Sequence, residues 1–134
     1  MKPWLCLFLL ALASCQTTSD HHFANPSPTW TTKSGQLSYQ SPKISLIGEV
    51  LVRYSKDGAM ELTFSKGPGV NLFAMRQDAE FASATGPLAR GSWAGPVAKA
   101  PERLRGWFGL REQILAGRKS IQTKGGGASF NLRF

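Results

Sequence analysis

The sequence predicts an α+β domain, an antiparallel meander with one amphipathic helix packed on it and a C-terminal hairpin. Three observations predict it. Short runs that alternate apolar and polar residues recur from Ile44 to Trp93, turn words rich in Gly, Pro and Asp separate them, and one stretch of helical period follows Pro101. At 134 residues the chain fits one domain. With 42% hydrophobic and 18% charged residues it can bury a core, and 14 Gly and 8 Pro fall short of a low-complexity composition. These figures exclude a multidomain enzyme, a coiled coil, a disulfide scaffold and a polytopic membrane protein.

The first strand runs through Val50, Val52 and Tyr54, rich in β-branched residues. Lys56-Asp57-Gly58 then predicts a type I′ hairpin turn. Its partner, Ala59 to Ser65, places Met60, Leu62 and Phe64 on one face and Glu61, Thr63 and Ser65 on the other. Only one side of it is buried. Lys66-Gly67-Pro68-Gly69 returns the chain into Val70 to Arg76, which is apolar on both sides and so belongs at the centre of the sheet or against a cavity. Ala79 to Ala84 and Leu88 to Trp93 continue the meander. The helix is placed from Pro101 to Ala116 and closed by Gly117. Leu104, Trp107, Phe108, Leu110, Ile114 and Leu115 share one arc of roughly 160°, opposite Glu102, Arg105, Gly106, Gly109, Glu112 and Gln113. Arg111 falls inside the apolar arc, where it either snorkels or faces an anionic ligand or buried carboxylate. Gly125-Gly126-Gly127 then joins Ser120–Thr123 to Ser129–Phe134 as a turn.

Ahead of this domain lie two segments of different character. Lys2 precedes an uncharged run from Trp4 to Leu12, too short to span a bilayer, which needs about 20 apolar residues. It ends in Leu12-Ala13-Ser14-Cys15, which resembles the bacterial lipobox. That resemblance implies a signal peptide over 1–14 and diacylation (palmitate and similar chains) at Cys15. Gln16, with no Asp at that place, implies an outer-membrane anchor facing the periplasm. The mature chain then holds no second cysteine, since Cys6 is removed. Residues 15–43, rich in Thr, Ser, Asn, Pro and Gln, predict a flexible tether. The domain proper is expected over 44–134. Adjacent His21 and His22 lack neighbouring ligands, so no metal is expected and the default is solvated linker histidines.

The order of sheet, helix and hairpin behind a lipobox resembles the LolA/LolB-type lipoprotein-carrier family. The local match is Pro101-Glu102-Arg103-Leu104-Arg105-Gly106-Trp107-Phe108-Gly109-Leu110, similar to the LolB pattern of a proline, Leu-Arg-x-Trp and Gly-Leu. Glu61-Leu62-Thr63-Phe64 and Pro68-Gly69 stand in corresponding order. The resemblance implies that the meander curves into an open half-barrel with acyl chains under the helix. It also departs from the family: the chain is short, no second amphipathic helix precedes Pro101, and the Trp-to-Gly spacing is one residue shorter.

On this reading a lipid-anchored binding protein, expected to be a monomer, holds acyl chains or lipid in a hydrophobic groove of Met60, Leu62, Phe64, Leu72, Trp93, Leu104, Trp107, Phe108 and Leu115, with Arg111 as anion contact. The ligand is an acyl chain or a lipoprotein in transit to the outer membrane. The residues leave an alternative open, in which the second apolar face packs on the tether or the final hairpin. A different class is a basic envelope lipoprotein acting at lipopolysaccharide or peptidoglycan, suggested by the net charge of +8. An enzyme is not expected: the mature chain has no catalytic cysteine, its histidines lie in the tether, and no nucleophile elbow or paired-carboxylate spacing occurs. No cofactor is expected, and the export signal argues against nucleic acid.

Overall fold

A computed structural model describes residues 21–134; the leader and Cys15 lie outside the described residues. Eight strands form one sheet: β1 (Thr31–Gln40), β2 (Ser45–Tyr54), β3 (Met60–Ser65), β4 (Asn71–Gln77), β5 (Phe81–Gly86), β6 (Gly91–Pro96), β7 (Ser120–Gly125) and β8 (Ala128–Arg133). All neighbours are antiparallel, in the order β6-β5-β4-β3-β2-β1-β8-β7, so β6 and β7 are free edges and the curved sheet stays open. The fold class is α+β as expected. The helix has two parts, α1 (Glu102–Phe108) and α2 (Leu110–Leu115), joined at Gly109.

The main correction concerns the tether. Thr31–Gln40 is an inner strand, paired with β2 along its whole length and with β8 through Gln36–Gln40. The folded unit therefore starts well before residue 44. Leu37 is completely buried and Tyr39 packs on the core, whereas Ser34, Gln36 and Gln40 point outward, so a strand with two inward apolar side chains carries the composition of a linker.

Other boundaries move for local reasons. Pro87–Ala89 is a 3-10 turn that buries Ala89, so the sixth strand starts at Gly91. Asp78 caps the preceding turn by accepting hydrogen bonds from the N–H groups of Glu80 and Phe81, at 3.0 and 2.8 Å, which delays β5 to Phe81. At Lys56-Asp57-Gly58 only Gly58 has a positive φ, so the turn is a type I turn with a glycine bulge, not type I′. A type I′ turn does occur at Gly126-Gly127, where both φ angles are positive.

Helix packing explains one misplaced residue. Gly106, expected on the polar side, is buried, because the helix lies against β7 at this point. A Cβ at Gly106 would sit 2.7 Å from the carbonyl oxygen of Gly125 and 2.5 Å from the Phe130 ring. Backbone meets backbone there, which only glycine allows.

Candidate functional site

The concave side of the half-barrel collects nearly every expected groove residue. Met60, Leu62 and Phe64 of β3 and Leu104, Trp107 and Phe108 of α1 are buried together, Leu72 and Trp93 pack at their margin, and Leu115 stays half-buried beside the β2–β3 turn. Trp107 is the centre. Its ring stacks on Phe73 at 3.9 Å and lies nearly parallel to Tyr39 at 5.3 Å, while Phe64 and Phe130 meet it at 5.9 and 4.9 Å. Side chains from the strand read as tether and from the closing hairpin thus occupy the space expected beneath the helix. In this form the groove is closed.

The helix is fastened unequally to the two walls. On the β7 side the Gly106–Gly125 approach and Phe130 form a tight seam. On the β3–β4 side the polar fastenings are two single side-chain bonds: Gln77 Nε2 donates to the carbonyl of Phe108 at 3.2 Å, and Arg111 Nε donates to the carbonyl of Gly58 at 3.0 Å. Arg111 therefore caps a turn with its head at the surface, the snorkelling option, and is not seated against a carboxylate. Gly109, the shared cap between α1 and α2, separates the two fastened halves.

Two polar atoms inside this core have no partner among the described residues, Trp107 Nε1 and Gln77 Oε1. Buried polar atoms are nearly always bonded to protein or to ordered water, so each of these two can take a further partner. Met60 and Met75 add unbranched, readily repacked side chains to the same volume.

Outside the core, His21 is not a solvated linker residue. It stacks on Phe81 at 4.0 Å with an interplanar angle of 14°, and its Nε2 lies 2.6 Å from Asp78 Oδ2. Arg76 donates to the carbonyl of Ala24 at 3.1 Å, so residues 21–24 lie along the outer face of β4 and β5. Burial raises the pKa of Asp78, but the N–H donors of Phe81 and Glu80 and the imidazole of His21 outweigh it and hold the carboxyl below its ordinary value. Nothing in the sequence marks this contact except the Asp-x-x-aromatic order of the turn.

Glu49 and Glu61, on the neighbouring strands β2 and β3, do not face each other as a pair. Glu61 bridges Arg53 at 2.9 Å and Arg76 at 3.1 Å, while Glu49 is opposite Ser65 and exposed. Among the described residues no three His, Cys, Asp or Glu side chains gather as a metal site, and no helix is long and apolar enough to cross a membrane. Comparison of the chain with family models, curated proteins and solved structures finds no match.

Proposed function

We propose that this protein is a lipid-anchored, periplasm-facing binding protein that takes an acyl chain between its helix and its curved sheet, in the manner of the lipoprotein carriers its sequence resembles. The observation that carries the reading is the unequal fastening of the helix, a backbone seam on β7 against single side-chain hydrogen bonds from Gln77, Arg111 and Arg103 on the other wall. The Phe108–Arg111 end of such a helix can swing outward when Gln77 and Arg111 let go, while the β7 seam and the bond from Arg103 to the Ala89 carbonyl hold its other end. A chain entering there would exchange contacts with Met60, Phe64, Phe73, Met75 and Trp107 for contacts with itself, and the ligand shifts the population toward the open form.

Anchoring follows from Cys15, through which two or three acyl chains would hold the protein durably in the membrane. Because His21 docks on Phe81 and Asp78, five residues separate Cys15 from the docked chain, a reach of at most about 20 Å, not the longer reach of a tether ending near residue 43. The domain would therefore work close to the bilayer surface, where an acyl chain is available.

Titration of the unacylated Cys15→Ser protein with cis-parinaric acid tests the reading. Saturable binding at one site per chain, competed by palmitate, is expected. A probe that stays in water at every protein concentration contradicts it. A second reading rests on the outer face of the sheet, where Ser38, Gln40, Gln122, Lys124, Ser129 and Asn131 line a shallow hollow of about 570 Å³ whose amide, hydroxyl and ammonium groups could meet a glycan. Co-sedimentation with peptidoglycan sacculi in place of acyl binding would favour it.

A further inference from the structure

We propose that the open end of the half-barrel is a headgroup site for an anionic lipid, so that the acyl-binding reading above, on which this rests, is selective for negatively charged amphiphiles. A cavity of about 300 Å³ opens there between the β1–β2 turn, the 3-10 turn at Pro87–Ala89 and the β7–β8 turn. Its rim carries Lys43, Arg90 and Arg103, and its wall carries Tyr39, Ile44 and Leu88. No Asp or Glu lines it. Among the described residues none of the three cations forms an ion pair, whereas the outer-face arginines Arg53 and Arg76 share Glu61.

The cations are held, not merely present. Arg103 Nε donates to the carbonyl of Ala89 at 3.3 Å, which fixes its guanidinium over the cavity while its remaining donors stay free. Lys43 lies in a turn closed by the Ser41 N–H to Ile44 carbonyl bond at 2.8 Å. Arg90 is the sole non-glycine residue with a positive φ among the described residues, at 55°, a left-handed conformation that is strained for a residue with a Cβ. Glycine would occupy that place without strain, as Gly91 does next to it, so the arginine side chain is retained at a cost to stability.

Below the cations the surface turns apolar. Ile44 is exposed beside the cations, and Tyr39 leads inward to its stacking contact with Trp107. A phosphoryl or carboxylate head would meet Lys43, Arg90 and Arg103 by charge-assisted hydrogen bonds while its chain follows Ile44 and Tyr39 toward the core. Three cations over an apolar shaft match an anionic amphiphile and give a neutral or zwitterionic one no advantage.

Binding of lysophosphatidylglycerol and lysophosphatidylcholine, matched in chain and kept below micelle formation, is measured on the Cys15→Ser protein at low salt. The anionic lipid is expected to bind about tenfold more tightly. Lys43→Glu with Arg90→Glu should erase that preference, while Lys56→Glu with Arg118→Glu, at the opposite end, should keep it. Arg90→Gly provides a second reading of the same site: a higher melting temperature together with weaker binding of the anionic lipid. Equal affinities for the two lipids overturn the headgroup site and leave acyl binding standing. Binding of neither removes acyl binding and the headgroup site together. Inorganic phosphate that binds as tightly as the anionic lipid overturns the lipid as the source of the anion.

Discussion

Substituting alanine for two glycines of one helix should move stability in opposite directions, although helix propensity alone gives both the same sign. Alanine is favoured over glycine in a helix by about 0.8–1.0 kcal/mol. At Gly109 the backbone is right-handed helical, with φ −68° and ψ −16°, and the nearest atoms to an added Cβ are the helix's own carbonyls, Arg105 at 3.3 Å and Gly106 at 3.6 Å. Gly109→Ala should therefore stabilise by about 0.5–1 kcal/mol. At Gly106 the same Cβ meets the Gly125 carbonyl oxygen at 2.7 Å and Phe130 Cε2 at 2.5 Å. The ring can yield, but the β7 backbone cannot without disturbing its pairing with β8. Overpacking costs about 1–3 kcal/mol, which exceeds the propensity gain, so Gly106→Ala should lose about 1–2 kcal/mol net and melt about 4 °C or more below the parent. Urea unfolding followed by tryptophan fluorescence and thermal melts by circular dichroism measure both variants. A Gly106→Ala protein as stable as Gly109→Ala would refute the backbone seam and, with it, the hinge on β7.

Three further outcomes follow from particular contacts. Arg111→Ala removes a bond to the Gly58 carbonyl and should cost about 1 kcal/mol while raising the rate at which an acyl probe enters; a stability loss with unchanged entry would show that Arg111 is no fastening. The folded Asp78 binds a proton less readily than the unfolded chain, so its ionised form adds stability above the ordinary aspartate pKa of 3.8, and that contribution is lost as pH falls through the lowered folded value. Asp78→Ala should accordingly cost about 1–2 kcal/mol near pH 6, with the gap to the parent closing in urea unfolding below about pH 4; a gap that persists in acid would contradict this. Mass spectrometry of the mature amino terminus should find acyl chains on Cys15, and Cys15→Ser should release the protein from the membrane fraction; a free thiol or a cut elsewhere would remove the anchor.

What the sequence made legible was what local pattern encodes. Alternation placed Met60, Leu62 and Phe64 on the buried side of β3, and helical period gathered Leu104, Trp107, Phe108, Leu110 and Ile114 against the sheet. Two neighbouring glycines of the triple-glycine word marked a real hairpin. The strand at Thr31–Gln40 stayed hidden because its signal is not local: Leu37 and Tyr39 become core residues only once β8 has come to lie beside them, across most of the chain. Gly106 was misplaced because an angle around a helix cannot tell an exposed glycine from one pressed against another backbone. Likewise the residues expected to line a groove do lie together, but as one core: the apolar surplus that suggested open space is taken up by Tyr39 and Phe130, whose partners the sequence does not name.

The most direct measurement of the central claim is the indole N–H resonance of Trp107 in a nitrogen-15 spectrum during titration with a short-chain anionic amphiphile below its micelle concentration. Its Nε1 has no partner among the described residues and lies at the centre of the volume that the chain would occupy. A saturable shift of that resonance, with the melting temperature rising in step, is predicted. A Trp107 resonance unmoved until the protein unfolds would show that the helix and sheet enclose only their own side chains.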